Sequence, residues 1–343
     1  MRAVVMRDRK LVVDSVPDPV PGPGEALVRT LACGICGSDL HALDHADAMV
    51  EAAREAGSPF ALDPERDLVM GHEFCVEVVD LGPATTSRLR PGDRAVSMPV
   101  LLRPPRIEPV GYSNDVPGGY GELMVLGAGF LLPVPNGLAT EHAALTEPMA
   151  VGLHAVEMAR LGKADVPLVV GCGPVGLAVI TALRLRGAEP IVASDFSPAR
   201  RRLATTMGAH VVNDPAETPA IEAFRAAAGL RPAVLFECVG VPGMIDRLMK
   251  DAPRAARIVV AGVCMEEDRI RPMIAINKEL SLQFVLGYAP HEFAATLNAI
   301  ADGRIDVAPL ITDRVGLDDV PDAFERLRSP GDQAKILVEP WRR

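Results

Sequence analysis

The stretch "VVGCGPVG", residues 169–176, follows a short apolar run and precedes a helical segment. Its glycines at 171, 173 and 176 have the G-x-G-x-x-G spacing. At such a junction the three glycines allow a tight turn, a close approach of the backbone to a pyrophosphate, and close packing of helix on strand. Taken by itself, the pattern is also compatible with a plain glycine-rich turn, so the surrounding sequence has to decide.

Near-continuous apolar runs surround this stretch and alternate with helical segments such as "GLAVITALRLRG". Strands that are apolar throughout are typical of a parallel sheet with both faces covered by helices. Six of them match the doubly wound, parallel-sheet (Rossmann) nucleotide-binding fold. The predicted strands are "VPLVVGC", "PIVASDF", "HVVND", "AVLFECVG", "RIVVAGVCM" and "SLQFVLGY".

The second of these strands ends in Asp195, nineteen residues beyond Gly176. A carboxylate at that place accepts hydrogen bonds from the adenine ribose and repels a 2′-phosphate, so the sequence favours NAD over NADP. Arg200, five residues further on, is positioned to attract such a phosphate and weakens that preference.

The chain of 343 residues is long enough for two domains. Residues 1–147 are rich in Pro, Gly and short β-type runs and predict an irregular, mostly antiparallel β-domain. At "AALTEPMAVGLHAVEMARLG" the β-type runs give way to apolar residues at helical spacing. Residues 284–343 are predicted to belong to the first domain again. The nucleotide domain, residues 148–283, is therefore predicted as an insertion in an α/β protein.

The composition narrows the class of protein. A formal charge of −10 without a basic cluster argues against nucleic acid as a partner, and 49% hydrophobic residues argue against disorder. The N-terminus lacks a cleavable signal pattern, and no apolar run reaches the ~18 residues of a membrane span. Six scattered cysteines then indicate reduced thiols or metal ligands, and we expect a cytoplasmic protein.

The stretch "CGICGSDLH", residues 33–41, contains two cysteines, a serine, an aspartate and a histidine. It fits a redox pair, half of a structural metal clamp, or a single cysteine ligand of a reactive metal. A catalytic zinc needs three protein ligands and an open position. Further candidates follow at His72 and Glu73 in "MGHEFCVEVV", although a lone histidine is more often a hydrogen-bonded structural residue.

Together these motifs and several others resemble zinc-dependent medium-chain alcohol dehydrogenases, most closely the sorbitol, threonine and butanediol dehydrogenase branch. The resemblance runs in the same order along nearly the whole chain. It implies a GroES-like, mostly-β catalytic domain beside the Rossmann domain, a catalytic zinc, NAD, and a homo-oligomer, either dimer or tetramer. The other stretches are "LRPGDRAV", "GGYGEL", "EPMAVGLHA" and "ITDRVGLDDVPDAFERL".

The resemblance also implies roles for single residues. Cys36 and His72 are the expected zinc ligands, and the third is Glu73 or Glu147, which differ in use among branches of the family. Glu147 as a plain acid at a helix N-terminus is the alternative. The resemblance adds Gly171, Gly173, Pro174, Val175, Gly176, Asp195, Arg200, Val263 and Leu286 as cofactor-binding residues.

The resemblance also predicts the roles of four residues in the stretch "CGICGSDLH". Ser38 hydrogen-bonds the substrate hydroxyl and passes its proton outward through the cofactor ribose to His41. Asp39 orients His72, as metal-bound histidines require. Cys33 is a packed small residue, and a redox pair is not favoured because no thioredoxin-like context follows.

The chain departs from the family pattern in three places. The stretch "RAVSMPVLLRPPRIEPVGYSNDVPGGYGEL" lacks the four cysteines of a structural zinc, so one zinc is predicted. An extra amphipathic helix over 47–57 is predicted either to roof the substrate cleft or to lie on the surface in solvent. "VLGY" lacks the arginine that follows the sixth strand in sorbitol enzymes, which argues against a polyol substrate.

Four apolar or aromatic residues are candidates for the wall of the substrate cleft, although such residues more often belong to the core. They are Tyr112, Tyr120, Phe130 and Leu286.

The sequence thus predicts a zinc- and NAD-dependent dehydrogenase of a primary or secondary alcohol. A carbonyl reductase that works mainly in reverse is the nearest alternative, since it uses the same residues. A non-catalytic, quinone-reductase-like sensor of NADH is a different class. Such a sensor is expected to lose Cys36, His72, Ser38 and His41, all of which are present.

Overall fold

The computed structural model describes residues 1–58, 62–135, 137–328 and 331–342. Its strands are β1 (Arg2–Arg7), β2 (Lys10–Ser15), β3 (Glu25–Gly34), β4 (Leu68–Val69), β5 (Glu73–Leu81), β6 (Arg94–Val96), β7 (Val100–Arg103), β8 (Arg106–Pro109), β9 (Leu123–Gly127), β10 (Leu132–Pro133), β11 (Val166–Val170), β12 (Val192–Ser194), β13 (Val211–Asn213), β14 (Ala233–Glu237), β15 (Arg257–Val260), β16 (Ser281–Phe284), β17 (Ile311–Val315) and β18 (Lys335–Val338). Its helices are α1 (Gly37–Glu55), α2 (Thr140–Ala144), α3 (Thr146–Met158), α4 (Pro174–Leu185), α5 (Pro198–Met207), α6 (Ala220–Ala228), α7 (Met244–Asp251), α8 (Pro272–Lys278), α9 (Pro290–Ala301) and α10 (Val320–Arg328). Within these described residues, no helix combines the length and the apolar character needed to cross a membrane.

The chain divides into two compact units. The first comprises Met1–Glu147, Ile300–Asp302 and Ile311–Arg343, and the second comprises Pro148–Ala299 and Gly303–Leu310. Residues 284–299 and 303–310, which the sequence analysis assigns to the first domain, lie in the second unit. Within that unit Glu292 of α9 pairs with Nδ1 of His154 of α3 at 2.9 Å.

The second unit contains the six predicted strands in one sheet. They are all parallel and follow the order β13-β12-β11-β14-β15-β16. This is the strand order of the doubly wound dinucleotide fold, and it reverses beside β11, whose following loop carries the glycine motif. β14 is buried along its whole length, as a strand covered on both faces has to be. The α/β fold class predicted from the sequence is confirmed.

The glycine motif forms the turn from β11 into α4. Gly171 has a φ of +91°, a conformation that side chains other than glycine's rarely adopt. Pro174 begins α4 directly after Gly173, where a proline loses no helical hydrogen bond. A Cβ added at Gly176 would overlap the carbonyl oxygen of Gly171, so the close packing predicted for the third glycine is present.

The first unit is built around the long strand β3. This strand pairs antiparallel with β5, β9 and β18 in a seven-stranded sheet, and only β17 and β18 pair parallel there. A three-stranded sheet of β2, β1 and β4 and the β7–β8 hairpin complete the described strands of this unit. The mostly antiparallel character expected from its short β-type runs is therefore observed.

The helix predicted over 47–57 is the second half of a longer element. α1 begins at Gly37 and is interrupted at His45, whose φ of −134° and ψ of 32° are not helical. Beyond this break most side chains are exposed, while Met49 and Val50 pack on the core of the first unit. The solvated face of this segment matches the surface-helix alternative, and its role as a roof stays a prediction.

Replacing Gly176 with alanine tests the packing of the glycine turn. We expect Gly176→Ala to lower the free energy of unfolding by about 1–3 kcal/mol, because the new methyl group has to displace the Gly171 carbonyl. Urea unfolding of the ligand-free protein measures this. Gly173→Ala is the matched control, since nothing lies within 4 Å of its added Cβ. Equal losses in the two variants would contradict the packing explanation.

Candidate active site

Three side chains with metal-binding chemistry converge in the first unit. Cys36 directly precedes α1, two residues after the end of β3, and His72 and Glu73 stand at the start of β5. The antiparallel register places Gly34 of β3 opposite Glu73 of β5. Because β3 and β5 are neighbours, the end of one and the start of the other bring the thiol, the imidazole and the carboxylate to the same place.

The ligand atoms of Cys36, His72 and Glu73 all lie within 4.8 Å of one another. Two ligand atoms of a tetrahedral zinc are about 3.5 Å apart, so a small contraction suffices to hold an ion. His72 and Glu73 are buried. Thiolate, imidazole and carboxylate form a donor set that zinc uses in catalytic sites, and these residues therefore fit the metal that the sequence predicts.

The electrostatic surroundings of His72 favour a positive charge. Its Nδ1 lies 3.3 Å from Oδ1 of the buried Asp39. Burial by itself lowers the pKa of His72, but the charge of Asp39 and its hydrogen bond outweigh this and raise the pKa well above its usual value. The carboxylate stands where the resemblance expects it, and a site that stabilises a protonated imidazole also suits a bound cation.

Asp39 is fixed from several sides. Its Oδ2 accepts the backbone N–H of Cys36 at 2.9 Å and the hydroxyl of the buried Tyr120 at 2.6 Å. Burial would raise the pKa of Asp39, yet the charge of His72 and these hydrogen bonds keep it below its usual value. The group therefore stays an anion, as a residue that orients a metal-bound imidazole has to be.

Glu73 has a second partner that the sequence analysis missed. Both of its carboxylate oxygens accept hydrogen bonds from Nζ of Lys335 at 2.7 Å, and both residues are buried. A side chain at Gly34 would overlap the Glu73 carboxylate, so the glycine on β3 leaves the necessary room. Burial lowers the pKa of Lys335, but Glu73 and Cys36 raise it to a net value above normal. A lone lysine within the apolar strand "AKILVEP" was the available signal.

Glu147 is not among the three clustered residues. It is buried in the first turn of α3, where the helix dipole favours a carboxylate. Its charge nevertheless acts on the site, because it raises the pKa of both Tyr112 and Lys335. The geometry thus brings Glu73 to Cys36 and His72 and leaves Glu147 outside that trio.

Ser38 and His41 both lie in the first two turns of α1. The hydroxyl of Tyr112 donates to Oγ of Ser38 at 2.8 Å. His41 faces His45 with 6.2 Å between the ring centroids. Burial and the charge of His45 lower the pKa of His41, so that this imidazole is neutral over a wider range of pH than a free one.

The cysteines of the first motif differ in their surroundings. Cys33 is fully buried, and burial raises the pKa of its thiol well above the usual value. Cys36, which is half-buried, is the cysteine that joins the cluster. Cys33 therefore has the environment of a packed residue rather than of a reactive thiol.

In the second unit, Asp195 stands directly after β12 and is buried. Its Oδ2 accepts the N–H of Cys172 at 2.7 Å, and its Oδ1 accepts the N–H of Ser197 at 2.7 Å. A guanidinium nitrogen of Arg200 lies 4.0 Å from Asp195. The Asp195 carboxylate thus holds the glycine turn through Cys172 and also faces Arg200. Pro174 and Val175 open α4 in the same turn.

The remaining cofactor candidates lie at the carboxyl edge of the parallel sheet. Val263 follows β15 and Leu286 follows β16, and their exposed fractions are 50% and 90%. This edge is where doubly wound sheets bind their ligands. Glu237 at the end of β14, which the sequence analysis did not single out, accepts the N–H groups of Val239 and Gly240 and so shapes the next turn.

The lobe without cysteines is held by polar contacts. Arg103 donates to the buried Glu25 at 2.7 Å, and the hydroxyl of Ser113 donates to the buried Glu108 at 2.7 Å.

Two further residues were candidates for the wall of the substrate cleft. Tyr120 lies in the core, and Phe130 is half-buried. The described residues hold one cluster of three or more metal-binding side chains, the trio at Cys36.

Comparisons with known proteins agree with these features. The model of the alcohol dehydrogenase GroES-like domain matches residues 22–136, and the model of zinc-binding dehydrogenases matches residues 174–302. (R,R)-butanediol dehydrogenase of Bacillus subtilis (strain 168) is 32% identical, with 99% of this chain and 100% of that protein covered. Sorbitol dehydrogenase of Gallus gallus is 28% identical, with 99% and 96% covered.

A solved structure extends the likeness to three dimensions. It is a putative zinc-binding dehydrogenase from Sinorhizobium meliloti 1021 bound to NADP, with a TM-score of 0.84, 28% identity and 99% of each chain covered. The resemblance drawn from the sequence is confirmed, including the branch to which it pointed.

Replacing Lys335 with methionine tests the buried ion pair. In the metal-free protein Lys335→Met leaves the Glu73 carboxylate buried without its cation, and we expect a loss of about 3–5 kcal/mol in the free energy of unfolding. Zinc supplies a replacement charge, so the loss should be smaller in excess zinc. Urea unfolding with a chelator and with zinc measures both values. The exposed Lys163→Met is the control, and an equal loss in both conditions would contradict the explanation.

Proposed function

This chain belongs to the zinc-binding alcohol dehydrogenase family, and from that membership we propose that it transfers a hydride between a primary or secondary alcohol and NAD. The observation that supports this best is the convergence of Cys36, His72 and Glu73 within 4.8 Å, with Ser38 on the same helix turn as the cysteine. The reverse reaction reduces an aldehyde or a ketone.

We propose that Cys36, His72 and Glu73 hold one zinc ion and that Glu147 is an outer carboxylate. Two arguments support Glu73: it lies in the trio, and Lys335 limits the negative charge that a third anionic ligand adds. Exchange of Glu73 with Glu147 remains compatible with the electrostatic effect of Glu147 on Lys335. A single zinc per chain is proposed because the lobe lacks the four cysteines of a structural zinc; an ion pair of Arg103 with Glu25 and a hydrogen bond of Ser113 to Glu108 lie there instead.

The division of chemical work follows from the residues. When bound, zinc supplies Lewis acidity that lowers the pKa of an alcohol, and NAD supplies the acceptor of the hydride. Ser38 accepts the proton of the alcohol and releases its own hydroxyl proton. His41, whose lowered pKa favours the neutral imidazole, is the proposed final acceptor of that proton. Asp39 holds His72 in one orientation through the contact to Nδ1.

The residues around the glycine turn fit a dinucleotide. Open space adjoins Gly173, where the backbone has to approach a pyrophosphate, and Asp195 offers the carboxylate for the ribose. We propose NAD as the preferred cofactor and Arg200 as the reason why NADP is not fully rejected. The S. meliloti relative is described as bound to NADP, which makes this a question for measurement.

The relatives suggest which alcohols to assay. The B. subtilis protein is a butanediol dehydrogenase and the G. gallus protein a sorbitol dehydrogenase. We propose a small secondary alcohol over a polyol, because "VLGY" lacks the expected arginine. A panel of ethanol, benzyl alcohol, butane-2,3-diol, threonine and sorbitol with NAD and NADP covers these classes. Assays of the corresponding carbonyl compounds with NADH identify a carbonyl reductase.

We also propose a homo-oligomer, either dimer or tetramer. β16 is the outer strand of its sheet, and Phe284 on it is 62% exposed. An exposed apolar edge strand is usually covered by another chain. A cytoplasmic location is proposed on the six free cysteines, which suit a reducing compartment.

Removal of the cysteine ligand separates an enzyme from a sensor. We expect Cys36→Ser to lose most of its zinc and at least about 100-fold in kcat, because a hydroxyl is a poor replacement for a thiolate ligand. Zinc analysis and the alcohol assay measure the two effects. Cys264→Ser, in a half-exposed loop of the second unit, is the control and should keep both. Loss of zinc with unchanged activity would refute the proposed dehydrogenase mechanism.

Replacement of Asp195 tests the choice of cofactor. Asp195→Asn removes the charge and keeps one acceptor oxygen, so that one of the N–H groups of Cys172 and Ser197 loses its partner; we expect the ratio of kcat/KM for NAD over NADP to fall at least about tenfold. Arg202→Ala on the same helix, α5, controls for a general change in charge, since Arg202 is exposed. An unchanged ratio in Asp195→Asn would show that the carboxylate does not select the cofactor.

A further inference from the structure

Tyr112 contacts three residues of the proposed catalytic machinery. Its hydroxyl donates to Oγ of Ser38 at 2.8 Å and lies 3.3 Å from Oδ1 of Asp39. Its ring lies against the ring of His72, with 5.2 Å between the centroids. The residue is half-buried in the turn after β8, where its N–H bonds to the carbonyl oxygen of Pro109 at 3.0 Å.

The contact to Ser38 restricts what the serine hydroxyl can do. A serine hydroxyl has one proton to donate and two lone pairs to accept with. Tyr112 occupies one lone pair, so Ser38 keeps one lone pair and its own proton. These are the two functions that Ser38 needs if it accepts a proton from an alcohol and releases its own in exchange.

The surroundings of Tyr112 favour its neutral phenol. Burial raises the pKa of its phenol well above the usual value, and the charges of Asp39 and Cys36 raise it further. The neutral phenol is therefore favoured, and the hydroxyl contributes through its hydrogen bond to Ser38. It acts through a fixed hydrogen bond and not through its own titration.

Tyr120 is the second tyrosine that contacts Asp39, and its surroundings differ from those of Tyr112. Its ring is fully buried and packs edge-on against Phe324, with 6.0 Å between the centroids. Its hydroxyl bonds to Asp39 Oδ2 at 2.6 Å. Tyr112 differs because it is half-buried and its hydroxyl lies closer to Oγ of Ser38, at 2.8 Å, than to Oδ1 of Asp39, at 3.3 Å.

We propose that Tyr112 is a positioning residue that holds the Ser38 hydroxyl ready to exchange a proton with the alcohol. The inference rests on the proposed function, because it requires that Ser38 contacts the substrate. It deepens that function by adding a tyrosine hydroxyl to the proton-transfer step. The ring of Tyr112 has a separate role, which is to cover His72.

A double-mutant cycle tests the inference with butane-2,3-diol and NAD, or with the fastest alcohol of the panel. Tyr112→Phe keeps the ring and removes the hydroxyl, so kcat should fall about tenfold with less than about a twofold change in KM. In the Ser38→Ala background the same change should alter kcat less than about twofold, because the hydroxyl on which Tyr112 acts is gone. Zinc content should be unchanged in all three variants.

Thr206→Val on the exposed side of α5 is the control for loss of a side-chain hydroxyl and should keep its kcat. Urea unfolding is measured for every variant. If Tyr112→Phe does not fold, Tyr112→Leu takes its place, since leucine removes the hydroxyl without adding volume at this half-buried site, and the Ser38→Ala cycle separates the hydroxyl from the ring. The same loss of kcat is then expected.

Two results overturn the inference while the proposed function stands: an unchanged kcat in Tyr112→Phe, or losses that multiply in the double variant as independent effects do. A third result overturns the inference together with the proton-transfer role of Ser38, while the proposed hydride transfer still stands. If Ser38→Ala turns over alcohol as fast as the unaltered protein, then Ser38 has no part in proton transfer and Tyr112 has nothing to position.

Discussion

The buried ion pair between Glu73 and Lys335 is the constraint on which the candidate site depends. The two side chains come from β5 and β18, the strands on either side of β3, and they meet beside Gly34, which has no side chain to separate them. Burying either charge without the other is costly, so the register of the three strands and the ion pair stabilise each other. His72 precedes Glu73 by one residue and Cys36 follows Gly34 by two. The same register therefore places the other members of the metal-binding trio.

Asp39 further restricts the positions of the residues in the candidate site. This carboxylate accepts from the backbone of Cys36 and from Tyr120, and it faces the imidazole of His72. One residue thus connects the start of α1, the core of the first unit and a metal-binding side chain. Since both oxygens are engaged, rotation of the carboxylate is restricted, and so is rotation of the imidazole. Positioning is what a catalytic metal site needs from its surroundings, because the chemistry is supplied by the ion.

Much of this could be read from the sequence, because the informative signals are local. Each of the six apolar runs became a strand, and the turn at Gly171 and Gly176 has the conformation that its glycines predict. Cys36 and His72 were expected together on the strength of a resemblance, not of spacing. Lys335 was missed because its partner is 262 residues away in the sequence, and the pairing of β18 with β3 is a tertiary fact. The true start of α1 was missed because Gly37 is a poor helix former, and the helix is fixed there by the Asp39 carboxylate instead.

Asp195, the residue proposed to select the cofactor, also holds two loops of the second unit in place. A carboxylate at the end of the second strand is usually explained by its attraction for ribose hydroxyls and its repulsion of a 2′-phosphate. Here each of its oxygens also accepts a backbone N–H, one from Cys172 in the glycine turn and one from Ser197 before α5. Each carboxylate oxygen has a further lone pair, so these bonds leave capacity for a ribose. The charge that is proposed to select the cofactor is thus held in place by the glycine turn. A change at this residue therefore alters the shape of the turn as well as its charge, and a switch of cofactor requires a replacement for both bonds.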